Sequence, residues 1–143
     1  MAAMPYPVGT TTNDAGHLEI GGCDVIELAR EFGTPSYLFA TAEMRERARA
    51  YQRAFAAHTD HFEVLFASKA LPVTAAYRLF AEEGLSVDVA SGGELTMALT
   101  AGFDPARIYM HGNNKTDAEL VLAGNSGVGH LIVYSFDEID RCE

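Results

Sequence analysis

The strongest constraint on the fold is an alternation of short apolar strands and helices that repeats about every 22 residues. The predicted strands cover 63–68, 85–89, 107–111 and 130–134, and helical patterns separate them. Such alternation implies parallel strands joined by right-handed crossovers. It leaves two architectures open: the N-terminal half of a (β/α)8 TIM-type barrel, which needs eight such units, and a compact doubly wound α/β domain.

Polar residues recur where these predicted strands end. Because side chains alternate between the faces of a strand, Asp88 opposes Val89, and His111 opposes Met110. One face would pack under helices, and the other would carry polar groups toward the C-terminal strand ends, where (β/α) barrels keep their active sites. We therefore expect Lys69, Asp88 and His111 to lie around one edge of the sheet.

Lys69 ends the first of these strands and is one of two lysines in the chain. In a continuous strand it shares a face with Leu65 and Ala67, opposite Phe66 and Ser68. A lysine at the end of an apolar strand loses part of its hydration, which makes the amine available as a nucleophile for a Schiff base. The alternative is a lysine that extends past the strand end into solvent.

Composition and charge restrict the partners and the location. The net charge of −10 argues against nucleic acid or an anionic membrane as a partner. The chain has no run of about 18 apolar residues and no secretory signal at its start. Cys23 and Cys142 lack metal-ligand spacing and do not suggest a disulfide framework. We expect a cytoplasmic protein without a metal site.

The 143 residues correspond to one domain or to part of a larger one. Residues 1–16, rich in Pro, Gly and Thr, are predicted to be a flexible N-terminal tail. Residues 17–40 are predicted to be a strand–helix–strand lead-in, with a capping box at Asp24 and the second strand at 36–39. Residues 41–143 are predicted to open with a long helix and, on the barrel alternative, to contain the truncated first half of that barrel.

Four runs of residues resemble one family in order and spacing. They are Phe-Ala-Ser-Lys-Ala at 66–70, Ser-Val-Asp-Val-Ala-Ser-Gly-Gly-Glu-Leu at 86–95, Ile-Tyr-Met-His-Gly-Asn-Asn-Lys at 108–115 and Val-Tyr-Ser-Phe-Asp-Glu-Ile at 133–139. The resemblance, from about Leu18 onward, is to diaminopimelate decarboxylases. These belong to the pyridoxal phosphate (PLP) decarboxylases with an alanine-racemase-like barrel, which include ornithine and arginine decarboxylases.

The resemblance implies the barrel alternative, with a short preceding segment that belongs with a C-terminal β domain. It implies a Schiff base between PLP and Lys69, with Asp88 and His111 near the cofactor and Glu94 as a further candidate acid. The implied reaction is decarboxylation of meso-diaminopimelate to L-lysine, in lysine biosynthesis. The implied assembly is a homodimer with active sites at the subunit interface.

Each further candidate has a structural alternative. Asp88 would be a strand-end acid bonded to a backbone N–H, and His111 would be a core histidine. Glu94 would complete a capping box with Ser91, which we favour. Gly92 and its neighbour would form a tight turn, rather than bind an anion at the helix start.

The chain also departs from the family. Tyr134 stands immediately before Ser135, at a position where the family usually has an acid. The family's acid for the pyridine nitrogen, its phosphate site, a later histidine and the C-terminal β domain would all fall beyond residue 143, so we expect no activity from this chain alone. The alternatives are an ornithine- or arginine-type decarboxylase, a racemase of the same barrel, and a non-catalytic half-barrel.

Overall fold

The computed structural model describes residues 6–142. The chain forms two compact units, one ending at Ala50 and the other starting at Tyr51. Among the described residues, no helix combines the length and the apolar character needed to cross a membrane.

The first unit contains a small antiparallel sheet in the order β1-β2-β3. Its strands are Thr11–Thr12, Leu18–Ile20 and Cys23–Asp24. β1 lies inside the predicted flexible tail, so that prediction is corrected for this strand, while residues 1–5 of the tail lie outside the described residues. Local hydrogen bonds hold the turn after β1 in place, because the Asn13 side chain accepts from the amides at positions 15 and 17.

Helix α1, Val25–Phe32, begins at its predicted cap, Asp24. The Asp24 carboxylate accepts hydrogen bonds from two amides of the first turn. Burial would raise the pKa of Asp24, but hydrogen bonds, first that with His17, lower it to about 2. The predicted capping box is incomplete, because the Glu27 side chain instead pairs with Arg30 at 2.7 Å.

The predicted strand at 36–39 is wrong. Residues 36–40 have no regular structure, and the antiparallel sheet within residues 6–142 has only the three strands named above. A strand requires a ladder partner, and the apolar pattern of this segment did not supply one. Helix α2, Thr41–Ala56, follows directly.

The second unit is built on a four-stranded parallel sheet in the order β4-β5-β6-β7. The strands are Leu65–Ala67, Ser86–Val89, Ile108–Met110 and His130–Leu131. Helices α3 to α6 follow them in turn as Thr74–Glu82, Gly92–Ala101, Asp117–Ser126 and Phe136–Asp140. The four predicted βα units are present, although each strand is shorter than predicted.

One face of the parallel sheet packs under the helices. The buried cluster on this face comprises Tyr77, Val87, Val89, Leu95, Ala98, Phe103, Ile108, Met110 and Ala123. The other face carries the register neighbours Ala67, Asp88 and Tyr109. A doubly wound sheet has helices on both faces, whereas α3, α4 and α5 all contribute to one cluster. This arrangement is that of a partial (β/α) barrel.

The last strand approaches the sheet at a position that only glycine can occupy. The Gly129 amide donates a hydrogen bond to the Pro105 carbonyl at 2.9 Å. A Cβ at Gly129 would lie 2.0 Å from the Ala106 carbonyl oxygen. This close backbone contact brings β7 alongside β6.

Candidate active site

The strand before Lys69 ends one residue earlier than the predicted bound at residue 68. β4 stops at Ala67, and Ser68–Ala70 forms a 3-10 turn, in which the Leu71 amide donates to the Ser68 carbonyl at 3.1 Å. Lys69 is exposed in this turn. The expected loss of hydration is therefore not found among the described residues, because the turn carries the lysine off the strand.

Asp88 and His111 lie together at the C-terminal edge of the parallel sheet, which we call the rim. His111 Nδ1 lies 2.6 Å from Asp88 Oδ1. That oxygen is buried and has no hydrogen bond of ordinary geometry within the described residues. Asp88 is the register neighbour of Ala67, two residues before Lys69. No ion pair or hydrogen bond within residues 6–142 joins Lys69 to Asp88 or His111.

Glu94 is held by three neighbours at the start of α4. Its Oε2 accepts hydrogen bonds from the Ser68 hydroxyl at 2.6 Å and from the Ala90 amide at 2.8 Å. Its own amide donates to the Ser91 hydroxyl at 3.2 Å, so the predicted cap is present. The reciprocal half of the box is replaced, because the carboxylate binds the Ala90 amide. Glu94 therefore joins the loop after β5 to the turn that carries Lys69.

Glu119 repeats this arrangement one unit later. It accepts hydrogen bonds from the Thr116 amide in its own loop, at 2.9 Å, and from the Gly92 amide in the preceding unit, at 2.8 Å. These two amides, first that of Thr116, lower the pKa of Glu119. The predicted tight turn at Gly92 and its neighbour is wrong, because both residues belong to the first turn of α4. The Gly92 amide at this helix start is bound to the carboxylate of the protein's own Glu119.

Lys115 and Glu138 form a buried ion pair that the sequence analysis did not predict. Their side chains are 1% and 6% exposed, and Nζ lies 2.8 Å from Oε1. The ammonium also donates to the carbonyls of Gly112 and Ile132, at 2.6 and 2.7 Å. The hydrogen bond from Lys115 lowers the pKa of Glu138.

The other oxygen of Glu138 accepts from the Tyr134 amide at 2.9 Å. Glu138 thus also closes its own loop and binds the preceding unit. We refer to the three glutamates that do so as the rim glutamates: Glu94, Glu119 and Glu138. The Ser/Thr-x-x-Glu spacing at 91–94, 116–119 and 135–138 marks them in the sequence, but it reveals only their local partners.

Tyr134 borders the site at the position where the resembling family usually has an acid. Its ring centroid lies 6.3 Å from that of His111, and Lys115 Nζ lies 5.5 Å from it. The side chain is 59% exposed. An aromatic ring therefore lies near His111 at this position, in addition to the Asp88 carboxylate.

A second polar network crosses the same face nearer the N-terminal strand ends. Glu63 accepts hydrogen bonds from Ser86 and Tyr109, and the bond from Ser86 is the first cause of a lowered Glu63 pKa. The Tyr109 ring stacks on that of His130, with centroids 3.9 Å apart. Sequence reasoning missed this network, because its members are far apart along the chain.

The described residues fit PLP in two respects. Its aldehyde requires an accessible amine, which Lys69 provides at the rim. The buried Asp88 oxygen without an ordinary hydrogen bond can hold a protonated nitrogen. By contrast, no cluster of three or more His, Cys, Asp or Glu side chains within residues 6–142 could hold a metal ion.

The family model that matches the chain is the pyridoxal binding domain of pyridoxal-dependent decarboxylases, over residues 41–143. Among curated proteins, the chain is 50% identical to diaminopimelate decarboxylase of Bacillus methanolicus, over 94% of this chain and 32% of the relative. It is 40% identical to diaminopimelate decarboxylase of Mycobacterium tuberculosis, over 100% of this chain and 31% of the relative. The chain thus spans about a third of the length of these relatives.

Solved structures agree with this assignment. Diaminopimelate decarboxylase from M. jannaschii, in co-complex with L-lysine, matches with a TM-score of 0.84 and 30% identity, over 95% of this chain and 32% of that chain. Lysine/ornithine decarboxylase from Vibrio vulnificus, complexed with putrescine, matches with a TM-score of 0.73 and 25% identity, over 92% and 34%. The expected half-barrel and the expected cofactor are confirmed, and the chain belongs to the pyridoxal-dependent decarboxylase family.

Proposed function

We propose that the protein carrying this chain decarboxylates meso-diaminopimelate to L-lysine, with PLP held by Lys69. The observation that carries the proposal is the position of Lys69, which is exposed in a turn at the rim. Lys69 lies two residues beyond Ala67, the register neighbour of Asp88, and the Asp88 carboxylate lies 2.6 Å from His111. Since the chain spans about a third of its relatives, the proposed activity is that of the whole protein.

In this proposal each residue has a definite task. The Lys69 amine is the nucleophile to which the cofactor aldehyde is attached. Asp88 favours the protonated form of a nitrogen brought to its buried oxygen, and His111 limits where that carboxylate can turn. Glu94 acts from below the lysine turn rather than on the reacting atoms. When bound, the cofactor supplies an electron sink for the broken C–C bond.

Sequence identity favours diaminopimelate over ornithine-type substrates. The two curated relatives named diaminopimelate decarboxylase share 50% and 40% identity with the chain, and the M. jannaschii enzyme shares 30%. The Vibrio lysine/ornithine enzyme shares 25%. L-lysine, the product of the proposed reaction, is present in the M. jannaschii co-complex. Assays of carbon dioxide release from meso-diaminopimelate, ornithine and arginine would test this preference. Equal or faster release from ornithine would contradict it.

The proposal includes a homodimer and a cytoplasmic location. The net charge of −10 supports a small amino-acid substrate over nucleic acid or an anionic membrane. Sedimentation velocity of the whole protein at assay concentrations tests the assembly. An active monomer would contradict it.

The first prediction concerns Lys69. We expect PLP to give the whole protein a visible absorbance band, and Lys69→Ala to remove the band and the decarboxylase activity. After borohydride reduction, peptide mass spectrometry should locate the label on Lys69. Within these 143 residues the only other lysine is Lys115, which is buried at 3% exposure and serves as an internal comparison. A label on Lys115 or on the N-terminus, or a band that survives the substitution, would refute the proposal.

A further inference from the structure

The turn that carries Lys69 rests on a buried polar contact. Ser68, the residue immediately before the lysine, is 0% exposed, and its hydroxyl donates to Glu94 Oε2 at 2.6 Å. A hydroxyl in this position must be hydrogen-bonded, because a buried donor without an acceptor is costly. The carboxylate of Glu94 therefore determines where the first residue of the turn can lie.

Glu94 itself is fixed from two directions. The Ala90 amide donates to the same oxygen at 2.8 Å, and the Glu94 amide donates to Ser91 at 3.2 Å. Its backbone belongs to α4, which packs on the sheet through the fully buried Leu95. The acceptor offered to Ser68 is thus part of a rigid element.

A second buried group lies under the same turn. Tyr77 is 0% exposed, and its hydroxyl has no hydrogen bond of ordinary geometry within the described residues. Burial raises the pKa of Tyr77, the Ser68 hydroxyl opposes the rise and the charge of Glu94 adds to it. A buried serine and a buried, protonated tyrosine therefore interact with the half-buried carboxylate of Glu94.

We infer that Glu94 is a positioning residue, which through its hydrogen bond to Ser68 holds the 3-10 turn so that Lys69 stands at the rim beside Asp88. The expected effect on the reaction of Lys69 with PLP rests on the proposed function. The ordering of the turn by Glu94 does not depend on that function. It gives Glu94 a different task from direct contact with the cofactor. Such positioning matters because small displacements of a reacting group slow a reaction steeply.

The test compares two buried serines of the second unit, Ser68 in the 3-10 turn and Ser86 in β5. Ser68→Ala removes the contact with Glu94, while Ser86→Ala removes a 0%-exposed serine whose hydroxyl binds Glu63. Amide hydrogen exchange at Leu71, which donates to the Ser68 carbonyl, reports the order of the turn without any cofactor. The rate of band formation with PLP in the whole protein reports the presentation of Lys69.

We expect Ser68→Ala to speed exchange at Leu71 and to slow the PLP reaction, each by about tenfold, the factor that corresponds to one hydrogen bond. Ser86→Ala should leave both values unchanged. Glu94→Ala should change both readouts at least as much as Ser68→Ala, because it also removes the acceptor of the Ala90 amide, and the double variant should be no worse than Glu94→Ala. Thermal unfolding of all variants identifies any general loss of stability.

Glu94→Gln separates positioning from a direct role of the charge. Its amide oxygen can still accept from Ser68, so we expect both readouts to stay within about threefold of the starting protein. If Glu94→Gln falls as far as Glu94→Ala, or if Ser68→Ala leaves Leu71 exchange unchanged, the inference is overturned. If Leu71 exchange responds as expected but no lysine-dependent band forms, the positioning stands and the proposed function fails.

Discussion

At the scale of single residues, the stability of the second unit depends strongly on the ion pair between Lys115 and Glu138. Two charges that are 1% and 6% exposed have lost most of their hydration. Lys115 recovers it through three acceptors, Glu138 and two backbone carbonyls. A buried pair of this kind is tolerable only while complete, because removal of one partner leaves an uncompensated charge.

We therefore expect Lys115→Met to lower the free energy of unfolding by about 3–5 kcal/mol. Asp117→Asn is the control, since Asp117 is 84% exposed in its pair with Arg141 and should change stability by less than about 1 kcal/mol. Urea unfolding followed by circular dichroism measures both. Similar losses for the two variants would show that burial does not set the strength of the Lys115 pair.

The same pair predicts a dependence of stability on pH. Lys115 lowers the pKa of Glu138 from 4.5 in the folded protein. A depressed carboxyl pKa stabilises the folded state fully above the ordinary value, and this contribution is lost as the pH falls through the folded value. The urea midpoint should thus fall less between pH 7 and acid in Glu138→Gln than in the starting protein. An identical fall in both would contradict the assignment.

At the scale of secondary-structure elements, the rim glutamates bind two units at once. Glu119 accepts from the amide that precedes α5 and from the first amide of α4. Capping contacts of this kind usually act on one helix. Here one carboxylate secures the starts of two neighbouring helices.

Glu119→Ala should therefore speed hydrogen exchange at both the Thr116 and the Gly92 amides, with a loss of about 1–2 kcal/mol. Thr116→Ala removes only the local hydroxyl of the box and should leave exchange at Gly92 unchanged. NMR-detected exchange resolves the two amides. If Glu119→Ala affects Thr116 alone, the link between the helices carries no stability.

At the scale of the whole molecule, β7 docks through a backbone contact that any side chain would obstruct. We expect Gly129→Ala to destabilise the second unit by about 1–3 kcal/mol or more, because a Cβ would lie 2.0 Å from the Ala106 oxygen. Gly124→Ala is the matched control, since its Cβ would meet nothing within 4 Å inside α5, and it should stabilise by up to about 1 kcal/mol. Denaturant unfolding measures both, and equal effects would contradict the role given to this contact.

The same scale shows why sequence patterns predicted some features and missed others. Alternation within β5 and β6 correctly assigned Val87 and Met110 to the helix-covered face and Asp88 to the polar face, because burial repeats with the pleat. Local alternation could not reveal that Ser68 turns away from the strand. Its hydroxyl bonds to Glu94, 26 residues away, and such a contact leaves no periodic signal. The wrong strand at 36–39 has the same origin, since pairing is a long-range property.

Through the rim glutamates, each of the last three βα units contributes a carboxylate that binds a group of the unit before it in the chain. A chain shortened after Gly127 would retain every residue of the first three units, yet Lys115 would lose the carboxylate that answers its charge. A chain that starts at Tyr51 would keep all three contacts intact. Truncation at the C-terminal side of the sheet therefore removes a contact of the unit that remains, whereas truncation before Tyr51 removes none of these contacts. Each unit depends on the following unit for the partner of one of its polar groups.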